Sequence, residues 1–407
     1  MRSAPEAPIY LDYQATTPCD PRVVDAMLPY FTGRFGNPHS LNHAYGRDAY
    51  EAVEQARAHV AKIVGARAAE IVFTSGATEA NNLALKGAAQ FYRGKGNHLI
   101  TVVTEHKAVL DPCRSLEKDG FRVTRLPVRP DGLLDHAALE AAITPQTAVV
   151  SVMAANNEIG VVQPLSEIGA ICRRHGVLFH TDAAQAVGKI ALDVESMNID
   201  LLSISGHKIY GPKGIGALYV RGKPRVRLSA QIEGGGQERG LRAGTLPTPL
   251  CVGIGEACRI AAAEMEVEAG RLCMLRHRLL HGVCGRLPDV RLNGDLIRRI
   301  PGNLSLSFFG VSSDSLLMAL KSIAVSAGSA CTSGSDEPSH VLRAFGPDVD
   351  VAEAVLRIGL GRFTSQEDVD RAIEDIVQAV TRLRDLSPLW ELHREGVDLK
   401  SIQWANF

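Results

Sequence analysis

Short apolar runs that end in polar residues and lead into helical segments recur through the first part of this chain. Such runs cover residues 71–73, 98–104, 147–154, 177–179 and 201–204. Apolar runs of this length between polar turns are typical of buried strands. Strands that alternate with helices, as at 79–92 and 165–175, indicate a mostly parallel sheet covered by helices on both faces. The predicted fold class is therefore α/β.

The polar residues that follow these runs are candidates for a single site. Ligands of open α/β sheets bind where the strands lead into the helices, and the residues predicted at those points are Thr78, His106, Asn157, Asp182, Gln185, Ser205, His207 and Lys208. The segment Thr74-Ser-Gly-Ala-Thr78 between a strand and a helix suggests an anion site formed by backbone N–H groups. An ordinary capped helix is the alternative for that segment.

Lys208 is unusual because it follows a buried strand, in Ser205-Gly-His-Lys208, and precedes a loop rich in Gly and Pro. Burial lowers the pKa of a lysine and makes its amine a nucleophile. A Schiff base with pyridoxal phosphate (PLP) is a chemistry that uses such an amine. Taken alone, the motif is more typical of an exposed lysine in a turn.

Charge, hydropathy and cysteine usage exclude several classes of protein. The net charge is -1, with 44 basic and 45 acidic residues, which argues against direct contact with nucleic acid or an anionic membrane. No apolar run approaches the ~18 residues of a membrane span. The eight cysteines are scattered without a CxxC pair, so a reducing, cytoplasmic location is expected.

Five segments in order resemble the cysteine desulfurases of the IscS/NifS type, which are PLP enzymes of the class-V aminotransferase family. They are Thr74-Ser-Gly-Ala-Thr-Glu-Ala-Asn-Asn82, Glu105-His-Lys107, Asn156-Asn-Glu-Ile-Gly160, Ser205-Gly-His-Lys208 and Ser329-Ala-Cys-Thr-Ser333. The resemblance covers essentially the whole chain. It implies the aspartate aminotransferase-like fold, with a large PLP-binding domain over 16–263 and a smaller α+β domain formed by 1–15 and 264–407. A long helix over about 250–287 would connect the two.

The resemblance also implies a role for each candidate residue. Lys208 would hold PLP as a Schiff base and then move a proton, Asp182 would pair with the pyridine nitrogen, and His106 would lie over the ring and transfer protons. Gln185 and Asn157 would bind the ring oxygen or the substrate, and Arg357 would bind the substrate carboxylate through its bidentate guanidinium. The phosphate would be bound by Ala77, Thr78, Ser205, His207 and, from the neighbouring subunit of a homodimer, Thr245.

Cys331 would carry the reaction specific to this family. Its thiolate would take the sulfur of L-cysteine as a persulfide, release L-alanine and pass the sulfur to an iron–sulfur scaffold protein or to other acceptors, such as tRNA-thiolation proteins. Cys331 would also be a candidate ligand for a transient [2Fe-2S] cluster shared with the scaffold. The segment from Ser387 to Trp404, like its counterpart in housekeeping iron–sulfur assembly enzymes, would dock that scaffold.

The sequence departs from the family pattern at two positions, and two alternative functions are still possible. Asp336 stands where a leucine is common and Gly359 where a serine is common, and neither is expected to affect the named chemistry. The alternatives are a selenocysteine lyase or another PLP β-lyase of the same fold, and a scaffold protein without turnover. A complete set of Lys208, Asp182, His106 and Cys331 argues against the second alternative, a protein that keeps this fold but has no catalytic activity.

Overall fold

A computed structural model describes residues 7–327, 339–344 and 353–397. Its strands are β1 (Ile9–Tyr10), β2 (Ile71–Thr74), β3 (His98–Val102), β4 (Arg122–Leu126), β5 (Thr147–Ser151), β6 (Leu178–Asp182), β7 (Leu201–Ser205), β8 (Gly216–Val220), β9 (Val290–Leu292), β10 (Asn303–Phe309), β11 (Ile323–Ala324) and β12 (Glu353–Gly359). Its helices are α1 (Pro21–Met27), α2 (Ala44–Ile63), α3 (Ala77–Phe91), α4 (Lys107–Lys118), α5 (His136–Ala142), α6 (Leu165–His175), α7 (Thr248–Cys284), α8 (Ser313–Ala319), α9 (His340–Arg343), α10 (Gln366–Asp385) and α11 (Pro388–Arg394).

A seven-stranded sheet in the order β2-β8-β7-β6-β5-β3-β4 forms the centre of the larger part of the molecule. Only β8 runs antiparallel to its neighbours among these strands. Two apolar cores lie against the sheet, one including residues of α2 and α6 and the other residues of α3 and α4. The predicted mostly parallel sheet with helices on both faces is confirmed.

Two histidines bridge neighbouring strands inside this sheet. His98 on β3 contacts Thr147 Oγ1 at 2.8 Å and Thr124 Oγ1 at 2.9 Å. His180 on β6 contacts Ser151 Oγ at 2.8 Å and Ser203 Oγ at 3.1 Å. Burial lowers the pKa of His98 to about 4 and that of His180 to about 3. Both rings are therefore neutral at pH 7 and act as hydrogen-bonded crosslinks.

A smaller unit combines the antiparallel sheet β12-β10-β9 with α8 and α10. Its core contains one face of α10, whose start is fixed by reciprocal hydrogen bonds between Ser365 and Asp368. The N-terminal segment joins this unit because β1 pairs with β11.

The 37-residue helix α7 connects the two parts. Residues from Cys251 to Ala261 pack into the core of the large sheet, and residues from Leu272 to Val283 pack into the core of the smaller unit. The predicted boundary at 263/264 falls between these two sets and stays a prediction. None of the helices in the described ranges combines the length and the hydropathy needed to cross a membrane.

Candidate active site

A cavity of about 470 Å³ lies beside the carboxyl ends of β6 and β7. Ten residues singled out by the sequence line it: Ala77, Thr78, His106, Asn157, Asp182, Gln185, Ser205, His207, Lys208 and Arg357. Thr245 is exposed and does not line this cavity, whereas Cys331 and Asp336 lie outside the described residues. The structure thus brings ten candidates together, while the roles assigned to them stay predictions.

The start of α3 forms one wall of the cavity. The helix begins at Ala77 after Gly76, which has φ +150° and, among the described residues, receives no side-chain cap. Its first backbone N–H groups are therefore open to a ligand, and the positive end of the helix dipole favours an anion. Burial lowers the pKa of nearby His207 to about 4, and its Nδ1 lies 3.0 Å from Thr16 Oγ1.

Lys208 lies in a short 3₁₀ turn, Gly206–Lys208, that directly follows β7. Its Nζ donates hydrogen bonds to the backbone carbonyls of Gln14 and Ala15, the latter at 2.6 Å. The amine of Lys208 is thus held at the cavity wall by the chain segment that follows β1. This placement excludes the exposed-turn alternative for the Ser-Gly-His-Lys motif.

Asp182 ends β6 and is held in place by two donors. Asn81 Nδ2 donates to Asp182 Oδ2 at 2.7 Å, and the Ala184 N–H donates to Oδ1 at 2.9 Å. Both side chains are buried. Asn81 was missed by the sequence reasoning. The available signal was a polar residue on the α3 face that also carries Ala80 and Ala84, a face that is otherwise apolar.

His106 precedes α4 and caps it, because His106 Nδ1 accepts the Ala108 N–H at 3.1 Å. Burial lowers the pKa of His106, opposed by the negative charge of Asp182. The ring is therefore neutral at pH 7, and we assign its proton to Nε2 because Nδ1 is an acceptor. Nε2 is consequently the atom that can exchange a proton with a ligand.

Arg357 is buried on β12 and lines the same cavity. Its Nη2 contacts Asp12 Oδ1 at 2.7 Å and Ser326 Oγ at 3.2 Å, and its Nη1 contacts the Asn157 carbonyl at 3.3 Å. These contacts fix the guanidinium plane. Arg357 Nε has no hydrogen-bond partner within the described ranges, so the group retains donor capacity for a carboxylate.

Gln185 is held by a residue that the sequence reasoning did not select. Lys189 Nζ donates to Gln185 Oε1 at 2.9 Å, and Gln185 Nε2 donates to the Gln14 carbonyl at 2.9 Å. Burial, together with the positive charge of Lys208, lowers the pKa of Lys189 to about 7. A lysine four residues after Gln185 was the available signal, since such residues share one side of a helical turn.

Two buried carboxyl groups complete the surroundings, and neither was selected from the sequence. Burial raises the pKa of Glu105, helped by the charge of Asp182, and burial also raises the pKa of Glu158. Glu105 Oε1 accepts the Met153 N–H at 2.6 Å. Glu158 lines the cavity. Their positions next to His106 and Asn157 in the motifs were the available signal.

The groups in the cavity fit the parts of PLP. The fixed carboxylate of Asp182 suits a protonated ring nitrogen, the open start of α3 suits a phosphate, and the amine of Lys208 suits an aldehyde. The N–H groups of Gln185 suit the ring oxygen. The described residues contain no group of three or more His, Cys, Asp or Glu side chains placed to hold a metal ion. The suggested cluster ligand, Cys331, lies outside these residues.

Gly359 lies closer to the cavity than the sequence suggested. A side chain at Gly359 would overlap Gln14 Oε1, and the Gln14 carbonyl accepts the hydrogen bonds of Lys208 and Gln185. Gly359 therefore packs against a residue of the cavity wall, and the expectation that this departure leaves the named chemistry unaffected stays a prediction.

Comparison with known proteins gave consistent matches. The model of the family described as aminotransferase class-V matches residues 9–372. A protein named cysteine desulfurase IscS, from Rickettsia bellii, is 60% identical over 398 residues, which cover 98% of this chain and 97% of that protein. A cysteine desulfurase of Pongo abelii is 59% identical over 408 residues, 99% of this chain and 89% of that protein.

Solved structures also resemble this chain along most of its length. A NifS-like protein has a TM-score of 0.86 and 36% identity, covering 92% of this chain and 100% of its own. A structure described as SspA in complex with cysteine has a TM-score of 0.77 and 40% identity, covering 88% of this chain and 100% of its own.

Proposed function

This chain belongs to the class-V aminotransferase family, and we propose that it is a PLP-dependent cysteine desulfurase that converts L-cysteine to L-alanine and a persulfide on Cys331. The observation that carries the proposal is the convergence of Lys208, Asp182, His106 and Arg357 on one cavity. The identity of about 60% to named cysteine desulfurases, over nearly the whole chain, supports the same activity.

Binding of the cofactor and the substrate follows from the contacts in the cavity. When bound, PLP supplies a ring that stabilises negative charge at the substrate α-carbon. Asp182 would hold a proton on the ring nitrogen, and the N–H groups at the start of α3 would hold the phosphate together with Ser205 and His207. Arg357 binds the substrate carboxylate, and Asn157, whose carbonyl contacts Arg357, orients it.

Two residues move protons in this proposal. Lys208 Nζ would hold the cofactor and would exchange a proton with the substrate α-carbon. His106 Nε2 exchanges a proton with the substrate, and its neutral ring at pH 7 suits that task. The Nδ1 contact with Ala108 fixes the ring so that Nε2 is the reactive atom.

Sulfur transfer is assigned to Cys331, which lies outside the described residues. Its thiolate attacks the substrate sulfur, so that a sulfur–sulfur bond forms and the carbon–sulfur bond breaks. The electron pair of the broken bond remains on the β-carbon, which takes up a proton to give L-alanine. A reductant or an acceptor protein must then remove the persulfide sulfur before the next turnover.

The test is a paired assay of the wild type and Cys331→Ala with L-cysteine and a reductant. We expect the variant to keep the cofactor's visible spectrum but to form almost no alanine or sulfide. Turnover equal to wild type would overturn the persulfide mechanism and favour a selenocysteine lyase or another β-lyase. Lys208→Ala is the companion variant, and its failure to lose both the spectrum and the activity would overturn the assignment of the cofactor.

A homodimer is the proposed assembly, because a patch on the large domain exposes aromatic side chains. Phe35 and Tyr45 stack with ring centroids 5.4 Å apart, yet they are 65% and 58% exposed, and Phe31, in the preceding turn of the chain, is 58% exposed. A second copy would cover this patch and would bring its Thr245 to the phosphate. Light scattering of Phe35→Asp/Tyr45→Asp tests this, with dissociation to monomers as the expected result.

The proposed partner is an iron–sulfur scaffold protein that docks near the C-terminal segment and receives the sulfur of Cys331. The helix α11 packs on the smaller unit through Trp390, which is buried and lies against Arg384 with 3.9 Å from guanidinium carbon to ring centroid. Deletion from Pro388 would therefore disturb the fold itself, so the truncation should begin after Val397. We expect weaker sulfur delivery with unchanged alanine formation, and equal loss of both would overturn the docking proposal.

We also propose that the sulfur can pass to other acceptors, including tRNA-thiolation proteins. A further proposal is that Cys331 helps to hold a transient [2Fe-2S] cluster shared with the iron–sulfur scaffold protein. A cytoplasmic location is also proposed. It is supported by the seven cysteines of the described ranges, all of which are free thiols, as expected in a reducing compartment.

A further inference from the structure

We propose that Lys189 is a positioning residue that fixes the orientation of the Gln185 amide toward the bound cofactor. Lys189 lies just behind the cavity wall, and its Nζ contacts Gln185 Oε1 at 2.9 Å. Gln185 itself lines the cavity. The inference rests on the proposed function, because it assumes that PLP is held on Lys208.

The argument depends on which atoms can donate. A lysine amine donates N–H groups both when it is protonated and when it is neutral, as a pKa of about 7 allows, whereas a glutamine amide has a donor end and an acceptor end. Lys189 therefore holds the oxygen of the Gln185 amide and turns its nitrogen away from itself. That nitrogen has two N–H groups, and the Gln14 carbonyl takes one of them at 2.9 Å.

The remaining N–H of Gln185 is the group that suits the ring oxygen of PLP. If the amide were reversed, its oxygen would face two other acceptors, the Gln14 carbonyl and the ring oxygen. Lys189 and the Gln14 carbonyl together determine that Gln185 presents a donor to the cavity. The Gln14 carbonyl also accepts a hydrogen bond from Lys208. Lys189 and Lys208 are therefore linked through the Gln185 amide and the Gln14 carbonyl.

A purely structural role is a poor explanation for Lys189. Lys189 is half-buried, and burying a charge is unfavourable unless a partner compensates for it. The positive charge of Lys208 repels the Lys189 ammonium, and the negative charge of Glu268 attracts it. Glu268 already accepts from Arg362 at 3.0 Å and Tyr210 at 3.3 Å. An apolar side chain of similar length would fill this space without the cost of burying a charge.

The experiment measures the bound cofactor in Lys189→Met, which keeps the length and removes the donor. A donor to the ring oxygen disfavours protonation of the cofactor held on Lys208. We therefore expect the pH midpoint of the cofactor's absorption spectrum to rise by about one unit. The dissociation constant of PLP from the apoenzyme should increase about tenfold, as for the loss of one charge-assisted hydrogen bond. Lys62→Met, on the exposed side of α2, is the matched control.

A double-mutant cycle separates positioning from a simple charge effect. If Lys189 acts through Gln185, Lys189→Met should have little effect on the midpoint in a Gln185→Ala background. An equal shift in both backgrounds, or an unchanged midpoint in a folded Lys189→Met, overturns the inference. Lys189→Leu, which also removes the donor, serves if the Met variant does not fold, with the same rise expected. Wild-type protein that takes up no PLP would overturn the proposed function itself.

Discussion

Asn81 Nδ2 lies 2.7 Å from Asp182 Oδ2, and this hydrogen bond joins α3, which begins at the anion site, to the carboxylate at the end of β6. This one contact therefore joins the helix proposed to bind the cofactor phosphate to the residue proposed to bind its ring nitrogen. Asn81→Ala should leave Asp182, within the described part of the chain, with the Ala184 N–H as its remaining donor, and we expect about tenfold weaker binding of PLP to the apoenzyme. Equilibrium titration monitored by absorbance measures it.

Asn82→Ala is the matched control for this prediction. The Asn82 amide donates to the Thr78 carbonyl at 2.9 Å rather than to Asp182, and it does not line the cavity. We expect its PLP affinity to be within about twofold of wild type. Equal weakening in both variants would mean that Asn81 acts by stabilising α3 and not by orienting Asp182.

Replacing His106 tests its assigned Nε2 proton separately from its role as a helix cap. Asparagine is a good N-cap, so His106→Asn should keep α4 stable while removing the imidazole, whereas His106→Ala should lose both. Alanine formation should fall about 10²–10⁴-fold in each, but the melting temperature should fall only in the Ala variant. Wild-type-like turnover in His106→Asn would remove His106 from the reaction.

The pH dependence of the wild type gives a second test of His106. Because burial lowers the pKa of this residue, its ring stays neutral above the usual histidine value of about 6.5. Protonation of His106 should therefore reduce the rate of alanine formation only below pH about 6.5. A rate that falls between pH 8 and 7 in the wild type, but not in His106→Asn, would contradict this assignment.

Gly359→Ser should disturb the cavity, since a side chain there overlaps Gln14 Oε1. Overpacking of this kind costs about 1–3 kcal/mol of unfolding free energy, and displacement of Gln14 should also weaken the binding of PLP. Urea unfolding and cofactor titration measure the two effects. Gln14→Ser in the same chain shortens the opposing side chain and should restore both quantities in part, because the Tyr13 backbone nitrogen would still lie 2.7 Å from the new Cβ.

Gly270→Ser is the control for the glycine substitution, because Gly270 is exposed on α7 and its Cβ would have no heavy atom within 4 Å. We expect no loss of stability or of cofactor affinity in this variant. A double variant Gln14→Ser/Gly359→Ser as unstable as Gly359→Ser alone would show that the strain lies in the backbone and not in the Gln14 side chain.

Segments with one dominant pattern and clear ends could be predicted from the sequence. The helices at 165–175 and 366–385 have the predicted bounds, because Gly176 ends the first and Ser365 caps the second. No helix was predicted at 107–118, where Pro112 lies inside α4. The edge strand β4 was also missed because its residues 122–125 include two arginines and are partly exposed.

Only some of the site residues could be predicted from the sequence in the same way. Residues at strand ends, such as Asp182 and Lys208, could be selected because the topology of a parallel sheet brings such ends together. Asn81 and Lys189 lie behind those residues and hold other side chains in place. Asn81 bonds to Asp182, about 100 residues further along the chain. Lys189 bonds to Gln185, one turn before it. Only the packed structure shows which buried polar group meets which partner.

The two neutral histidines in the large sheet predict that acid destabilises this protein. With His180 at a pKa of about 3 in the folded state and about 6.5 when unfolded, only the unfolded chain takes up this proton between those values. The stability associated with His180 is therefore fully present above pH about 6.5 and is lost as the pH falls. Its contribution to the loss between pH 7 and pH 5 is about 2 kcal/mol.

His180→Gln isolates this contribution, because glutamine keeps hydrogen-bonding capacity between Ser151 and Ser203 but does not titrate. Urea unfolding at pH 7 and pH 5 should show a loss smaller by about 2 kcal/mol in the variant than in the wild type. The raised pKa values of Glu105 and Glu158 act in the opposite direction, but they are common to both proteins and cancel in the comparison. The exposed His39→Gln should lose as much stability as the wild type, and an equal loss in His180→Gln would contradict a neutral histidine crosslink.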